Sequence, residues 1–83
     1  MAKLLFDVLL PATGKRYDFW VPDDLPMQEI SSLVAAAMQV GEPMYYRATP
    51  DAALAYMRTG EIQNPAATPA QIGFTDGERF VLV

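Results

Sequence analysis

The sequence contains no histidine and no cysteine. Without cysteine the chain has no disulfides and no thiolate nucleophile, and without either residue it has no Cys/His metal site. The missing histidine also removes the side chain that most often acts as a general base near neutral pH. These absences favour a binding module over an enzyme, and we expect neither a cofactor nor a bound metal.

Basic charge is scarce as well. Six basic and ten acidic residues give a net charge of −4, which argues against nucleic acid or an anionic membrane as the main partner. The apolar run at residues 4–10 contains Asp7 and is far shorter than the roughly 20 residues that span a bilayer. No targeting segment is visible, so we expect a soluble, cytoplasmic protein without direct membrane insertion.

The length of 83 residues predicts a single domain that covers residues 1–83. Hydrophobic residues make up 52% of the chain, yet a domain of this size buries only about 60% of its unfolded surface. Part of the apolar content is therefore expected to lie outside the core.

The first half of the chain predicts a hairpin followed by a helix. Residues 3–10 and 15–21 are rich in strand formers, and a turn at residues 11–14 joins them. The period then changes to that of an amphipathic helix over residues 27–40. The predicted inner face of this helix consists of Met27, Ile30, Leu33, Val34, Ala37 and Met38. The acidic pair Asp23–Asp24 is expected to cap the helix and to complement its dipole.

The second half is harder to interpret. Residues 45–47 are expected to form a brief strand within a loop over residues 41–53. Residues 54–57 predict a third strand, which turns at residues 58–60 into a short partner at 61–63. Thr68 and Pro69 are typical of the start of a helical turn, and the turn Asp76–Gly77 precedes a last strand at 79–83.

These elements predict an α+β fold of the β-grasp type. A terminal apolar strand favours neighbours on both edges, so the last strand is expected beside the first, inside a mixed sheet of four to five strands. One main helix covers only one face of that sheet, which leaves the other face open.

The chain with these predicted elements resembles ubiquitin-like proteins. More narrowly, it is similar to the YukD/EsaB-like proteins encoded with type VII (ESX, WXG100) secretion systems. Three stretches in the same order carry the resemblance: residues 17–26 with Tyr-Asp-Phe-Trp-Val-Pro and Leu-Pro, the helix at 30–38, and Gly-Phe-Thr-Asp-Gly-Glu at 73–78. The resemblance implies a cytoplasmic accessory protein, peripheral to a membrane secretion complex, that acts by binding.

Strand alternation assigns several apolar residues to the open face, where polar residues are the norm. The candidate partner-binding residues are Leu5, Leu9, Trp20, Met57 and Val81. Ubiquitin-like domains commonly bind through such a patch on the third and last strands, and the resemblance places Met57 and Val81 there. The alternative is that the loop at 41–53 folds back over part of this face.

The leading hypothesis is a non-conjugated ubiquitin-like adaptor of a type VII secretion system that is not an enzyme. Its partner would be a component of the machinery or a second copy of the chain, which would make a homodimer. The alternative is a ubiquitin-like modifier or sulfur carrier with a C-terminal Gly-Gly tail. This chain ends at Val83, within the predicted last strand and without such a tail.

Overall fold

The structure, a computed structural model, describes residues 2–83. Within these residues, four strands and two helices follow each other. They are β1 (Lys3–Leu10), β2 (Lys15–Pro22), α1 (Met27–Gly41), β3 (Leu54–Tyr56), α2 (Pro69–Ile72) and β4 (Glu78–Leu82).

The strands form one mixed sheet in the order β2-β1-β4-β3. β1 and β2 are an antiparallel hairpin in which Phe6 lies opposite Phe19. β4 runs parallel to β1, with Phe80 opposite Val8, and antiparallel to β3. The last strand thus has a neighbour on each edge, as its apolar sequence predicted.

The core lies between the sheet and α1. Phe6, Val8, Leu10, Phe80 and Leu82 alternate along the two central strands and are each at most 3% exposed. Burying one such side chain contributes about 1.5–3 kcal/mol. The rings of Phe6 and Phe80 lie 4.5 Å apart between centroids. The even-numbered residues of β1 therefore point toward α1.

The buried face of α1 differs in part from the predicted one. Leu33 is 57% exposed and Ala37 is also exposed, whereas Ser31 and Ala35 are buried. The buried stripe of α1 therefore includes Ser31 and Ala35 in place of Leu33 and Ala37. Ser31 Oγ donates to the carbonyl of Met27 at 2.8 Å.

The expectation that Asp23 and Asp24 cap α1 is wrong. The N-cap is Pro26, without a side-chain cap. The first amides of the helix instead donate to backbone carbonyls of a distant loop: Met27 to Ala67 at 2.8 Å and Gln28 to Pro65 at 3.0 Å. Because these carbonyls satisfy the free N–H groups, the helix needs no acidic cap.

The side chain of Asp23 is used elsewhere. Its Oδ1 accepts from the amide of Ala2 at 3.3 Å, and its own amide donates to the carbonyl of Ala2 at 2.9 Å. Asp23 therefore ties the start of the chain to the segment that leads into α1.

The segment between α1 and β3 forms no strand at residues 45–47, contrary to the prediction. Tyr45 belongs to a turn, and the amides of Tyr45 and Tyr46 both donate to the carbonyl of Glu42. Tyr46 packs against the core, and the amide of Ala48 donates to Oε1 of Gln39 on α1 at 2.8 Å. These contacts place the loop on the helix side of the sheet.

The predicted helical turn after Thr68 and the predicted last strand are both present. Thr68 and Gln71 form a capping box at the start of α2, and Gly73 ends the helix with a φ of 92°. The short partner of β3 is reduced to a single bridge between Ala55 and Ile62. Beyond β4, Val83 still pairs with Ala53 through both backbone hydrogen bonds.

Candidate functional site

The face of the sheet opposite α1 carries the candidate site, and we call it the open face. Strand pairing and side-chain alternation define its members. They are Lys3, Leu5, Asp7, Leu9, Arg16, Asp18, Trp20, Ala55, Met57, Arg79 and Val81.

Two of the predicted binding residues lie side by side in the middle of this face. Leu9 on β1 is the direct partner of Val81 on β4, and Val81 is in turn the partner of Ala55 on β3. Leu9 and Val81 are half-buried, and Ala55 is buried. Ala55 is covered because it pairs with β4 on one side and with Ile62 on the other.

A second apolar pair lies toward one end of the open face. Leu5 is the direct cross-strand partner of Trp20 on the edge strand β2. Trp20 is 61% exposed. On the other side of Leu5, its carbonyl accepts from the amide of Gly77, a residue without a side chain. The amide of Leu5 donates to Oδ1 of Asp76 at 3.0 Å, so the turn before β4 borders this apolar pair.

A row of charged residues separates these two apolar pairs. Asp18 on β2, Asp7 on β1 and Arg79 on β4 lie side by side across the sheet. The predicted patch is thus divided, since Leu5 and Trp20 lie on one side of this row and Leu9 and Val81 on the other. The rise of a strand separates the two pairs by about 13 Å, because Leu5 and Leu9 are four residues apart on β1.

Asp7 binds the two arginines of the face unequally. Nε of Arg16 donates to both carboxylate oxygens of Asp7, at 3.0 and 3.1 Å. Nε of Arg79 lies 3.8 Å from Oδ2, beyond hydrogen-bond range. The side chains of Arg16 and Arg79 are 37% and 66% exposed. Arg79 therefore projects into solvent beside Asp7.

Met57, the fifth predicted residue, lies at the edge of the charged row. Its amide donates to the carbonyl of Arg79 at 2.9 Å, which extends the pairing of β3 with β4. Nη2 of Arg16 lies 3.8 Å from its sulfur. The side chains of Arg16 and Met57 thus meet from the two edge strands, above the centre of the open face.

The structure therefore adds Arg16 and Arg79 to the candidate site. Sequence reasoning missed both, although the alternation that placed Trp20 on the open face also places Arg16 there, four residues earlier. Alternation also places Arg79 on the open face, because it lies two residues before Val81 on the same strand. Both arginines were left out because only apolar residues were considered for the site.

A hydrogen-bonded pair also lies at the edge of the aromatic core. The hydroxyl of Tyr56 donates to Oε1 of Glu78 at 2.9 Å. This hydrogen bond, together with burial, raises the pKa of Tyr56 above its ordinary value. Glu78 Oε2 accepts from the amide of Thr75 at 3.2 Å. The side chains of Tyr56 and Glu78 therefore stabilise the turn that precedes β4, which is a structural role.

In the part of the chain that the structure describes, no three acidic side chains gather closely enough to hold a metal ion. Among residues 2–83, no helix combines the length and the apolar character needed to cross a membrane.

No protein-family model matches the chain, and neither does any curated protein sequence. Solved structures do match over nearly the whole length. The EccD5 ubiquitin-like domain of Mycobacterium xenopi has a TM-score of 0.79 at 10% identity and covers 100% of this chain and 94% of its own. The ubiquitin-like domain of the Mycobacterium tuberculosis type VII secretion system protein EccD1 has a TM-score of 0.77 at 16% identity, with coverages of 100% and 99%.

A third neighbour comes from an enzyme assembly. A chain of the toluene 4-monooxygenase HD complex has a TM-score of 0.78 at 16% identity, with coverages of 99% and 98%. At such identities the likeness shows the fold alone. This chain has the ubiquitin-like β-grasp fold, as its sequence predicted. Solved domains of the same fold occur in type VII secretion proteins.

Proposed function

We propose that this protein is a non-enzymatic, ubiquitin-like adaptor of a type VII secretion system that binds a protein partner through its open face. The observation that carries the proposal is the apolar pair Leu9–Val81, together with the exposed Trp20 across the charged row, on the sheet face opposite α1. Protein interfaces are enriched in tryptophan, methionine and arginine relative to the rest of the surface. The open face has this composition.

The link to type VII secretion draws on two supports. One is the resemblance of three stretches of the sequence to the YukD/EsaB-like proteins. The other is the likeness in fold to the EccD1 and EccD5 ubiquitin-like domains. In this proposal the protein works in the cytoplasm, at the periphery of the membrane complex, and its partner is a component of that machinery.

The loop at 42–53 does not compete for this face in the proposal. Its hydrogen bond to Gln39 and the packing of Tyr46 against the core lie on the helix side. The open face is therefore free to receive a partner.

The test uses two substitutions on the face, Trp20→Glu and Val81→Glu. Tagged wild-type and variant proteins would be used for affinity capture from the native host, and the captured proteins would be identified by mass spectrometry. We expect wild type to capture a secretion component and the double variant to lose it. Light scattering on the same samples would report self-association.

Val40→Glu is the matched control. Val40 is 83% exposed on α1, at the opposite side of the molecule, so its substitution adds the charge of one of the two glutamates without touching the open face. Circular dichroism must show folded protein for each variant. Equal capture of secretion components by wild type and the folded double variant would overturn the proposal, as would capture that Val40→Glu abolishes.

A further inference from the structure

Two guanidinium groups on the open face converge on a single carboxylate, that of Asp7. We propose that the open face recognises an acidic segment of its protein partner, whose carboxylates bind Arg79 and Arg16 beside the apolar pair Leu9–Val81. This inference rests on the proposed function, because it specifies the partner of that same face.

Arg79 has unused hydrogen-bonding capacity. Its closest approach to an acidic group is 3.8 Å, from Nε to Oδ2 of Asp7, and its side chain is 66% exposed. A guanidinium group carries five N–H donors in a planar fork that matches a carboxylate. Arg79 can therefore donate to a second carboxylate without losing a hydrogen bond to Asp7.

Arg16 is held in place while part of it stays free. It uses Nε for Asp7, and its Nη2 lies against the sulfur of Met57, a weak acceptor. The anchored side chain loses little further rotamer freedom when a partner binds, which reduces the cost of binding. Asp7 thereby holds Arg16 in place. Because one carboxylate faces two guanidinium groups, the cluster of Asp7, Arg16 and Arg79 keeps a net positive charge.

The charge of the molecule is divided between its two sides. Three of the six basic side chains lie on the open face, namely Lys3, Arg16 and Arg79. Only two of the ten acidic ones do, Asp7 and Asp18. The face is therefore net positive, although the whole chain carries −4. Such a face attracts a negatively charged surface and repels a like one.

This charge pattern distinguishes between kinds of partner. A second copy docked face to face would bring its own Arg79 and Arg16 toward these arginines, because a two-fold interface uses the same patch twice. Nucleic acid is disfavoured since Asp7 and Asp18 would lie against its phosphates. An acidic segment with apolar side chains matches both the charged row and the Leu9–Val81 pair.

The test measures binding of short synthetic peptides by fluorescence anisotropy. The probe is a Glu-Leu repeat peptide, and the comparison peptides replace Glu by Gln or by Lys. We expect the Glu-Leu peptide to bind more tightly than either. Its affinity should fall as salt rises from about 0.05 to about 0.5 M, since exposed charges are screened over that range.

Arg79→Gln and Arg47→Gln form a matched pair of variants, because each removes one positive charge and both residues are exposed. Arg47 lies in the loop on the helix side, where it lines a surface with Gln39 and Tyr46. We expect Arg79→Gln to weaken binding of the Glu-Leu peptide about three- to tenfold and Arg47→Gln less than twofold.

Three results would overturn the inference: equal binding of the Glu-Leu and Gln-Leu peptides, equal losses for the two arginine variants, or equally tight binding of a single-stranded oligonucleotide at the same salt.

Capture of secretion components separates this inference from the proposed function. If Arg79→Gln captures as wild type does while Val81→Glu fails, the acidic partner is excluded and the binding face stands. If both variants capture normally, the proposed function fails as well.

Discussion

The unequal geometry of the two ion pairs at Asp7 leads to a quantitative prediction. Arg16 donates to both oxygens of Asp7 at 3.0 and 3.1 Å, whereas Arg79 stays 3.8 Å away. The perturbation is a pair of double-mutant cycles, Asp7→Ala with Arg16→Ala and Asp7→Ala with Arg79→Ala. Each cycle isolates the coupling free energy of one ion pair from the other effects of the substitutions.

The expected magnitudes follow from exposure and distance. Ion pairs near the surface couple by about 0.2–1 kcal/mol, and good hydrogen-bond geometry favours the upper end. With side chains 37% and 22% exposed and two short contacts, Arg16–Asp7 should reach about 0.5–1 kcal/mol. Arg79, 66% exposed and without a hydrogen bond to Asp7, should couple by less than about 0.3 kcal/mol.

The assay is urea unfolding followed by circular dichroism, in low salt and in about 1 M salt, where the Debye length falls to about 3 Å. Circular dichroism is preferable to fluorescence because Trp20, the single tryptophan, is 61% exposed and changes its surroundings little on unfolding. Both couplings should shrink in high salt. Equal couplings for the two arginines, or no coupling for Arg16–Asp7, would refute the reasoning from geometry.

Three further predictions concern stability. Phe80→Ala should lower the free energy of unfolding by about 3–5 kcal/mol, because the ring is 0% exposed; a loss below about 1.5 kcal/mol in urea titration would contradict its place in the core. Thr68→Ala should cost about 1 kcal/mol by removing the capping box with Gln71, and an unchanged urea midpoint would contradict that role. Because Glu78 raises the pKa of folded Tyr56, their hydrogen bond stabilises the fold below pH ~10, and this stabilisation is lost as pH rises further. In absorbance titration at alkaline pH, Glu78→Gln should lower the pKa of Tyr56. An unaltered titration curve would contradict the role of Glu78.

The sheet could be predicted from the sequence because alternation is a local signal. In β1, every second residue from Leu4 to Leu10 packs inward, and the terminal apolar strand takes the central place that edge avoidance predicts. The β-grasp arrangement follows from these strands and one amphipathic helix.

The details of α1 depend on contacts that are distant in sequence. Its first amides bind the carbonyls of Pro65 and Ala67, which no local pattern near Asp23 announces. The inward place of Ser31 depends on a hydrogen bond to its own helix, and this allows Leu33 to face outward. Capping preferences and a hydrophobic arc describe the usual case, and here tertiary structure prevailed over both.

The division of the open face also required the structure. Each of Leu5, Leu9, Trp20 and Val81 was assigned to the correct side from its own strand. Their grouping depends on the register between strands, which aligns Asp7 with Arg79 and sets a charged row between the two apolar pairs. Register between β1 and β4 joins residues more than seventy positions apart, and no local signal fixes it.

In the proposed function the open face binds a protein partner, and the indole of Trp20 reports on this binding directly. The chain has one tryptophan, so its indole N–H gives a single resonance in a nitrogen-proton NMR spectrum. We predict that adding the purified secretion component obtained by capture shifts or broadens this resonance, and that Val81→Glu abolishes the effect. If the component binds while the Trp20 resonance stays unchanged and the methyl groups of Leu33 and Val40 on α1 shift instead, the claim is contradicted.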